Sequence, residues 1–332
     1  MSTYTAINLV ARPKAGPISS ELFKVVQHEV PHAGPGEILV KQTHMSLDPA
    51  MLGWMSPDTK SYIPPVALGD VMRSSGLGEV VESNNPDFKV GDRVQGMMGW
   101  TEYFLGSGKG LQQVQAGLDA EMVLSVFALP GLTATQGLYG FSEPKAGETI
   151  VVSGAAGSVG SLVGQLAKAD GLNVIGVAGS EEKCNWLTDE LGFDGAINYK
   201  TDDINARLTE LAPNGIDMYF ENTGGPIQQH VINHINAHGR IVVCGMIADY
   251  NAAQPSAGPN WIPIIKKRLS INGFAMPDHF GEIPALIAKL TPYVMAGKIK
   301  YRSHVIEGLE SAIDGLNLLF TGGNKGKLIV KL

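Results

Sequence analysis

Three glycines, at positions 154, 157 and 160, form the segment of this sequence with the clearest chemical use. They follow the apolar run at 149–153 and precede a helical pattern of apolar residues. Backbone N–H groups at a helix N-terminus carry partial positive charge, and a pyrophosphate fits there. The spacing is GxxGxxG, with Ala155 where the commoner GxGxxG motif has its second glycine, and alanine is small enough to keep the approach close. The segment predicts a dinucleotide site, and a glycine turn that serves only helix–strand packing is the alternative.

The end of the next strand indicates which dinucleotide would bind. An NAD enzyme usually has Asp or Glu there to hold the ribose 2′-hydroxyl. This strand ends in Val177-Ala178-Gly179-Ser180, which has no carboxylate, and Lys183 follows in the first helical turn. Glu181 and Glu182 count against an NADP site, but they also suit the positive end of a helix that Ser180 caps. The pattern favours NADP over NAD, and an ordinary solvated lysine is the alternative for Lys183.

The elements that would position these residues form two kinds of pattern. Residues 1–125 contain short alternating strands with no long helical pattern between them, which predicts a compact barrel-like β domain. From residue 126 onward, apolar strands alternate with helices, one of them at 181–191. The strands are predicted near 149–153, 173–178, 196–199, 217–220, 241–244 and 269–274. Such βαβ units predict an α/β fold with a doubly wound parallel sheet of about six strands. The last strand, near 328–332, is expected to return to the β domain.

Composition narrows the possible functions. The net charge of −7 and the absence of a basic run argue against partners such as nucleic acid or an anionic membrane. No run approaches ~18 apolar residues, and the N-terminus lacks a signal pattern. Cys184 and Cys244 are the only cysteines, which excludes a disulfide framework and a Cys-rich zinc site. A cytoplasmic location is the expectation.

Several blocks along the chain resemble one known family. They are Pro144-Lys145-Ala146-Gly147-Glu148-Thr149, Ser153–Ser161, Leu191-Gly192-Phe193-Asp194, Tyr219–Gly225, Gly239–Gly245 and Gly322–Leu328. Together these blocks resemble the medium-chain dehydrogenase/reductase superfamily, within its zinc-independent branch of prostaglandin/leukotriene B4 reductases and alkenal/curcumin double-bond reductases. The similarity covers nearly the whole chain.

The resemblance implies a GroES-like catalytic domain at 1–125 and 297–332, with a Rossmann NADP(H)-binding domain at 126–296. It also implies a homodimer. In similar enzymes the glycine loop binds the pyrophosphate, and the residues matched by Lys183 and Tyr199 bind the 2′-phosphate. In those enzymes, the residues matched by Asn222, by the segment 244–250, by the segment from Phe274 and by Asn324 surround the adenosine and nicotinamide halves of the cofactor. The expected cofactor-binding residues are Gly154, Ala156, Gly157, Ser158, Val159, Gly160, Lys183, Tyr199, Asn222, Cys244, Gly245, Ile247, Tyr250, Phe274, Ala275, Met276 and Asn324.

No metal site is expected. Zinc-dependent relatives carry a Gly-His-Glu catalytic segment and a four-cysteine lobe. This chain has Gly69-Asp70-Val71-Met72-Arg73 at the corresponding place, and no residue with ligand spacing accompanies His44, the nearest histidine. Arg73 could meet a carboxylate substrate or the cofactor, or simply be paired.

The resemblance implies NADPH-dependent reduction of the C=C bond of α,β-unsaturated ketones and aldehydes, so the expected partner is a small enone or enal. Hydride goes to the β-carbon, and the resulting enolate needs a proton at its α-carbon. Tyr250 and Tyr62 are the candidate donors, Tyr250 being slightly favoured, and water is an alternative. A packing role is the alternative for each tyrosine. Two other functions remain open, an NADPH quinone reductase of the same superfamily and a non-catalytic NADPH-binding protein.

Overall fold

The computed structural model describes residues 2–332 and separates into two compact units, residues 2–128 with Ser303–Leu332, and Leu129–Arg302. Strands and helices are numbered along the chain. The strands of the first unit are β1 Thr3–Leu9, β2 Phe23–Glu29, β3 Ile38–Leu47, β4 Ser75–Ser83, β5 Arg93–Met97, β6 Tyr103–Gly106, β7 Gln112–Gln113, β14 Ser303–Glu307 and β15 Lys327–Lys331. Its helices are α1 Met51–Met55, α2 Ala120–Ser125 and α11 Ser311–Thr321, with a 3₁₀ turn at Ser20–Leu22.

The first unit is built around a seven-stranded sheet, in which β14, β15, β3, β4, β5 and β7 follow one another and β6 also pairs with β3. β15 pairs antiparallel with β3, so the end of the chain completes a sheet that begins near residue 38. Alternating apolar residues on these strands face a buried cluster that includes Ile7, Met45, Leu47 and Val330. Trp100 stacks on Phe23 in this core, with 5.1 Å between the ring centroids.

The second unit contains the strands β8 Thr149–Ser153, β9 Asn173–Ala178, β10 Gly195–Asn198, β11 Ile216–Glu221, β12 Ile235–Val243 and β13 Ser270–Gly273. Its helices are α3 Leu129–Thr135, α4 Ser158–Ala169, α5 Glu181–Asn185, α6 Ile204–Leu211, α7 Pro226–His234, α8 Ile247–Tyr250, α9 Ile262–Lys267 and α10 Ile283–Met295. Two π-helical turns, at Gln136–Gly140 and Trp186–Glu190, and a 3₁₀ segment at Met276–Glu282 complete it.

The six strands of the second unit form one parallel sheet in the order β10-β9-β8-β11-β12-β13. This is the doubly wound order 3-2-1-4-5-6, so the connection reverses direction between β8 and β11. The apolar side chains on both faces of the sheet are buried, as is typical of parallel sheets that helices cover on both sides. The predicted doubly wound sheet of about six strands is therefore confirmed.

Two elements of this unit differ from the sequence prediction. β12 begins at Ile235 instead of near 241, because its first half contains polar residues and His238 with φ 64°, which interrupt the apolar pattern. The predicted single helix at 181–191 ends as α5 at Asn185 and continues as a π-helical turn. That turn places Trp186 and Leu187, which are adjacent in sequence, both in the core.

Candidate cofactor site

The glycine turn lies between β8 and α4, at the point where the sheet reverses direction. Gly154 has φ 57°, in the left-handed region that favours glycine. A Cβ on Gly160 would lie 2.5 Å from the carbonyl oxygen of Gly154, so only glycine permits this approach of helix to strand. Gly157 is the N-cap of α4, so no side chain of the N-cap residue bonds the N–H groups of the first turn. A pyrophosphate fits this arrangement.

Ala156, Ser158 and Val159, also predicted in this loop, occupy the turn and the start of α4. Ala156 is buried, whereas Ser158 and Val159 are half-buried. The structure therefore brings the six predicted loop residues into one turn.

The ends of β9 and β10 meet at the second predicted part of the site. A Cβ on Gly179 would lie 2.9 Å from the ring of Tyr199, so the ring rests on the glycine backbone. Ser180 caps α5 by accepting a hydrogen bond from the backbone N–H of Lys183 at 3.3 Å. Tyr199 is exposed, and the Nζ of Lys200 lies 5.9 Å from its ring centroid. Lys183 and Tyr199, sixteen positions apart in sequence, therefore flank one strand end that carries no carboxylate.

A buried polar network joins β8 and β11 at the reversal point. The carboxylate of Glu221, which is fully buried, accepts hydrogen bonds from Ser153 Oγ and Tyr219 Oη. It also accepts from the backbone N–H groups of Thr223 and Gly224, at 2.7 and 3.0 Å. Burial first, and the Glu221 charge second, raise the pKa of Tyr219 well above its ordinary value. The phenol therefore stays protonated as a donor to the carboxylate.

Asn222, the next predicted residue, is held by the same network. Its backbone N–H donates to Ser153 Oγ at 2.8 Å, and its Nδ2 donates to the Ser153 carbonyl oxygen at 2.7 Å. Ser153 and Glu221 were missed at the level of sequence. The available signal was a charged residue at the end of an otherwise apolar strand, because an acid there is buried only if donors surround it.

The segment after β12 lies against Asn222. Cys244 N and Gly245 N donate to the Glu221 carbonyl oxygen at 2.9 and 3.1 Å. Ile247 N donates to the Asn222 carbonyl oxygen at 3.3 Å. Burial, together with the Glu221 charge, raises the pKa of the Cys244 thiol to about 12. The structure thus places Cys244, Gly245 and Ile247 beside Asn222, at the same edge of the sheet.

Tyr250 ends the short helix α8 and is exposed. Its hydroxyl oxygen accepts a hydrogen bond from Met246 N at 3.2 Å and lies 3.2 Å from the position of a Cβ on Gly245. The hydroxyl of this candidate donor therefore lies beside the backbone of Gly245.

Phe274, Ala275 and Met276 follow β13 at the same edge of the sheet. The ring of Phe274 stacks on Phe141 with 5.1 Å between centroids, and Met276 is buried. His279 lies edge-on to Phe141 at 5.7 Å, so this segment is packed against the second unit's own aromatic residues.

Three residues of interest lie in the first unit. Tyr62 is exposed in the segment between α1 and β4. Arg73 donates from Nη1 to the Pro64 carbonyl oxygen at 3.0 Å, and burial lowers its pKa. Asn324 donates from Nδ2 to the Gly326 carbonyl oxygen at 2.8 Å in the turn before β15.

Metal-ligand geometry is not found in the described part of the chain. Within residues 2–332, no group of three or more His, Cys, Asp or Glu side chains could hold a metal ion. Across the same residues, no helix is long and apolar enough to cross a membrane.

Comparison with protein families identifies the class. Residues 5–114 match the N-terminal domain of oxidoreductase, and residues 158–291 match the model described as zinc-binding dehydrogenase. The chain belongs to the medium-chain dehydrogenase/reductase superfamily, as its motifs indicated.

Individual relatives lie within that superfamily. The chain is 38% identical to NADPH-dependent curcumin reductase of Escherichia coli, over 98% of this chain and 95% of the relative. It is 40% identical to the NADP⁺-dependent 2-alkenal reductase of Nicotiana tabacum, over 90% and 88%. The crystal structure of CurA from Vibrio vulnificus in complex with NADPH superimposes with a TM-score of 0.92, at 38% identity and 98% coverage of both chains.

Proposed function

We propose that this protein catalyses the NADPH-dependent reduction of the C=C bond of α,β-unsaturated ketones and aldehydes. The observation that carries the proposal is the arrangement at one edge of the second unit's sheet. A glycine turn at a helix N-terminus lies there beside a strand end that Lys183 and Tyr199 flank and that carries no carboxylate. The relatives named as curcumin and 2-alkenal reductases supply the reaction class.

In this proposal the second unit binds the cofactor and the first unit, GroES-like, contributes to catalysis. The N–H groups at the start of α4 bind the pyrophosphate. Lys183 and Tyr199 bind the 2′-phosphate, and a charge-assisted bond from the Lys183 ammonium selects that group. Asn222, Cys244, Gly245, Ile247, Tyr250, Phe274, Ala275, Met276 and Asn324 surround the adenosine and nicotinamide halves.

NADPH, when bound, supplies the hydride that goes to the β-carbon of the substrate. The negative charge then moves to the carbonyl oxygen as an enolate, and a hydrogen-bond donor stabilises it. Tyr250 is the first candidate donor: it lies at this edge of the sheet, where its hydroxyl oxygen accepts from Met246 N, and its proton would go to the enolate or its α-carbon. Tyr62 is the second candidate. No metal takes part in the proposed reaction.

We further propose a homodimer formed through the edge of the second unit's sheet. Among the described residues, β13 pairs with β12 alone, so its outer edge offers unpaired backbone groups. Trp261, directly before α9, is 59% exposed, and Ile265, within α9, is 81% exposed. Ile271 on β13 is exposed as well. An exposed edge strand beside large apolar side chains is typical of an interface between copies of a chain. A cytoplasmic location completes the proposal and suits the free thiols of Cys184 and Cys244.

NADPH oxidation followed at 340 nm tests the reaction. The substrates are an alkenal, a benzalacetone-type enone, a quinone and a simple ketone, with NADH run in parallel and the products identified by mass spectrometry. Saturated ketone from the enone, with NADPH preferred, is expected. Turnover of the quinone alone would make the protein a quinone reductase. NADPH binding without turnover of any compound would favour a non-catalytic role.

A further inference from the structure

Glu182 lies in the first turn of α5, close in sequence to the strand end where an NAD-dependent enzyme has its ribose-binding acid. That acid usually lies about 20 residues beyond the glycine loop and accepts a hydrogen bond from the 2′-hydroxyl. The strand end at Gly179-Ser180 has no carboxylate, but Glu182 follows in the first turn of α5, directly before Lys183. A carboxylate in this place would favour NADH and repel a 2′-phosphate, so the chain carries residues for both cofactors side by side.

The structure shows what becomes of that carboxylate. Arg302, at the end of the second unit, donates from Nη2 to Glu182 Oε1 at 3.2 Å. The Arg302 guanidinium carbon also lies 5.8 Å from the centroid of the Trp186 ring, and Trp186 is buried one helical turn after Glu182. The guanidinium thus contacts both a carboxylate and an indole. Glu182 is held by a residue 120 positions away in sequence.

We propose that Arg302 is a specificity-determining positioning residue, which gives NADPH its advantage over NADH by neutralising Glu182 and holding its carboxylate. The inference rests on the proposed binding of the 2′-phosphate at Lys183. A phosphate monoester carries a charge of about −1.5 to −2 at neutral pH. Without the charge of Arg302, Glu182 would repel a phosphate at Lys183 more strongly, because adjacent residues lie well within the Debye length of about 10 Å at 0.1 M salt.

The same ion pair acts on NADH in the opposite sense. NADH offers a 2′-hydroxyl, which would donate to the Glu182 carboxylate if Arg302 did not hold it. While Arg302 occupies that carboxylate, this bond competes with the ion pair. Removal of Arg302 is therefore expected to weaken the binding of NADPH and to strengthen the binding of NADH. Both effects lower the preference for NADPH over NADH.

The test is the ratio of kcat/KM for NADPH to that for NADH, measured with a fixed enone in R302Q. We expect the ratio to fall about two- to fivefold at low ionic strength, the size of an exposed charge pair, and to recover at high salt. R302K, which keeps the charge, should retain most of the preference. The double variant E182Q/R302Q should return the ratio to within about twofold of the wild type, because it removes the repelling charge. A merely structural role of Arg302 predicts no such rescue.

R207Q is the matched control. Arg207 forms an ion pair with Glu210 on α6 in the same unit, with side-chain exposures of 34% and 65% against 37% and 52% for Arg302 and Glu182. It should leave the cofactor ratio unchanged. An unchanged ratio in R302Q, or a double variant that is no better than R302Q, would overturn the inference.

K183Q separates this inference from the proposal beneath it. If K183Q loses the NADPH preference while R302Q keeps it, the phosphate binds at Lys183 and the role of Arg302 is wrong. If neither variant changes the ratio, the placement of the 2′-phosphate is wrong as well. NADPH dissociation constants from fluorescence quenching give the same comparison without turnover.

Discussion

Ser153 Oγ, at the end of β8, donates a hydrogen bond to the carboxylate of Glu221, at the end of β11. The same oxygen accepts the backbone N–H of Asn222 at 2.8 Å. These strands are neighbours at the reversal point of the sheet, where doubly wound proteins bind their ligands. One hydroxyl thus sets the separation of the two strand ends that border the candidate cofactor site.

Replacing Ser153 by alanine should destabilise the protein and weaken cofactor binding together. The variant leaves a buried carboxylate and an amide N–H with one partner fewer, which costs about 1–3 kcal/mol. The NADPH dissociation constant should rise several-fold, measured by fluorescence titration beside urea unfolding. Thr135→Val removes a buried hydroxyl that donates to Gly131 O in α3, and it should lower stability alone. Equal NADPH affinity in S153A and T135V would contradict the role of Ser153.

The two tyrosines are expected to differ in single-site variants. Y250F should lower kcat about 100-fold, the usual contribution of a positioned proton donor, with NADPH affinity changed less than twofold. Y62F should have the smaller effect. Y103F, whose ring packs on Tyr4 at 5.6 Å, controls for loss of a phenol in the first unit. A larger decrease in Y62F would exchange the roles, and wild-type rates in both would leave water as the donor.

The buried ion pair of the first unit should be sensitive to loss of one partner. Lys327 is 1% exposed and donates to the Leu47 carbonyl oxygen at 2.8 Å and to Asp48. K327M should lower the free energy of unfolding in urea by about 3–5 kcal/mol, because the buried carboxylate of Asp48 is left without its cation.

The double variant K327M/D48N should recover part of that loss, since it removes the unpaired charge. A K327M protein as stable as the wild type would show that the pair contributes nothing to holding β15 on β3.

His44 should make the first unit less stable at mildly acidic pH. Burial first, then the charges of Lys331 and Arg93, lower its pKa below the ordinary 6.5. The unfolded chain then binds the proton more readily than the folded one. The free energy of unfolding is therefore highest above about pH 7, falls as the pH drops through the ordinary pKa of His44, and levels off below the lowered pKa.

Urea unfolding of the wild type and H44Q at pH 7.5 and 5.5 checks this. The loss of stability between the two pH values should be smaller in H44Q, whereas H28Q, on the exposed side of β2, should behave as the wild type. Equal losses in the wild type and H44Q would contradict the assignment.

Cys244 should resist electrophiles despite its place at the candidate site. Its pKa of about 12 keeps the thiol protonated, and only the thiolate is an efficient nucleophile. In a C184S background, alkylation by an alkenal at pH 7.5, followed by mass spectrometry, should be about 100-fold slower than for free cysteine. E221Q removes the charge that helps raise the pKa, so it should accelerate the reaction. Rapid alkylation of C184S would show that the thiol is ionised.

The sequence predicted much of the fold because the signals are local. The strands predicted at 149–153 and 173–178 have the observed bounds of β8 and β9, since short apolar runs between turn residues define buried strands. The glycine loop and its spacing also led directly to the turn before α4. The superfamily assignment is confirmed by the family matches at residues 5–114 and 158–291.

What tertiary structure decided depends on residues far apart in the chain. No pattern in the sequence assigned a partner to Ser153, Glu221, Glu182 or Arg302. Only the folded chain pairs Ser153 with Glu221 across 68 positions and Glu182 with Arg302 across 120. Hydrophobic periodicity records which face of an element is buried, but it does not record which polar groups meet once those faces have packed. The sequence by itself therefore determined the class of fold and the kind of ligand, whereas the packed structure decided which charges are neutralised at the site.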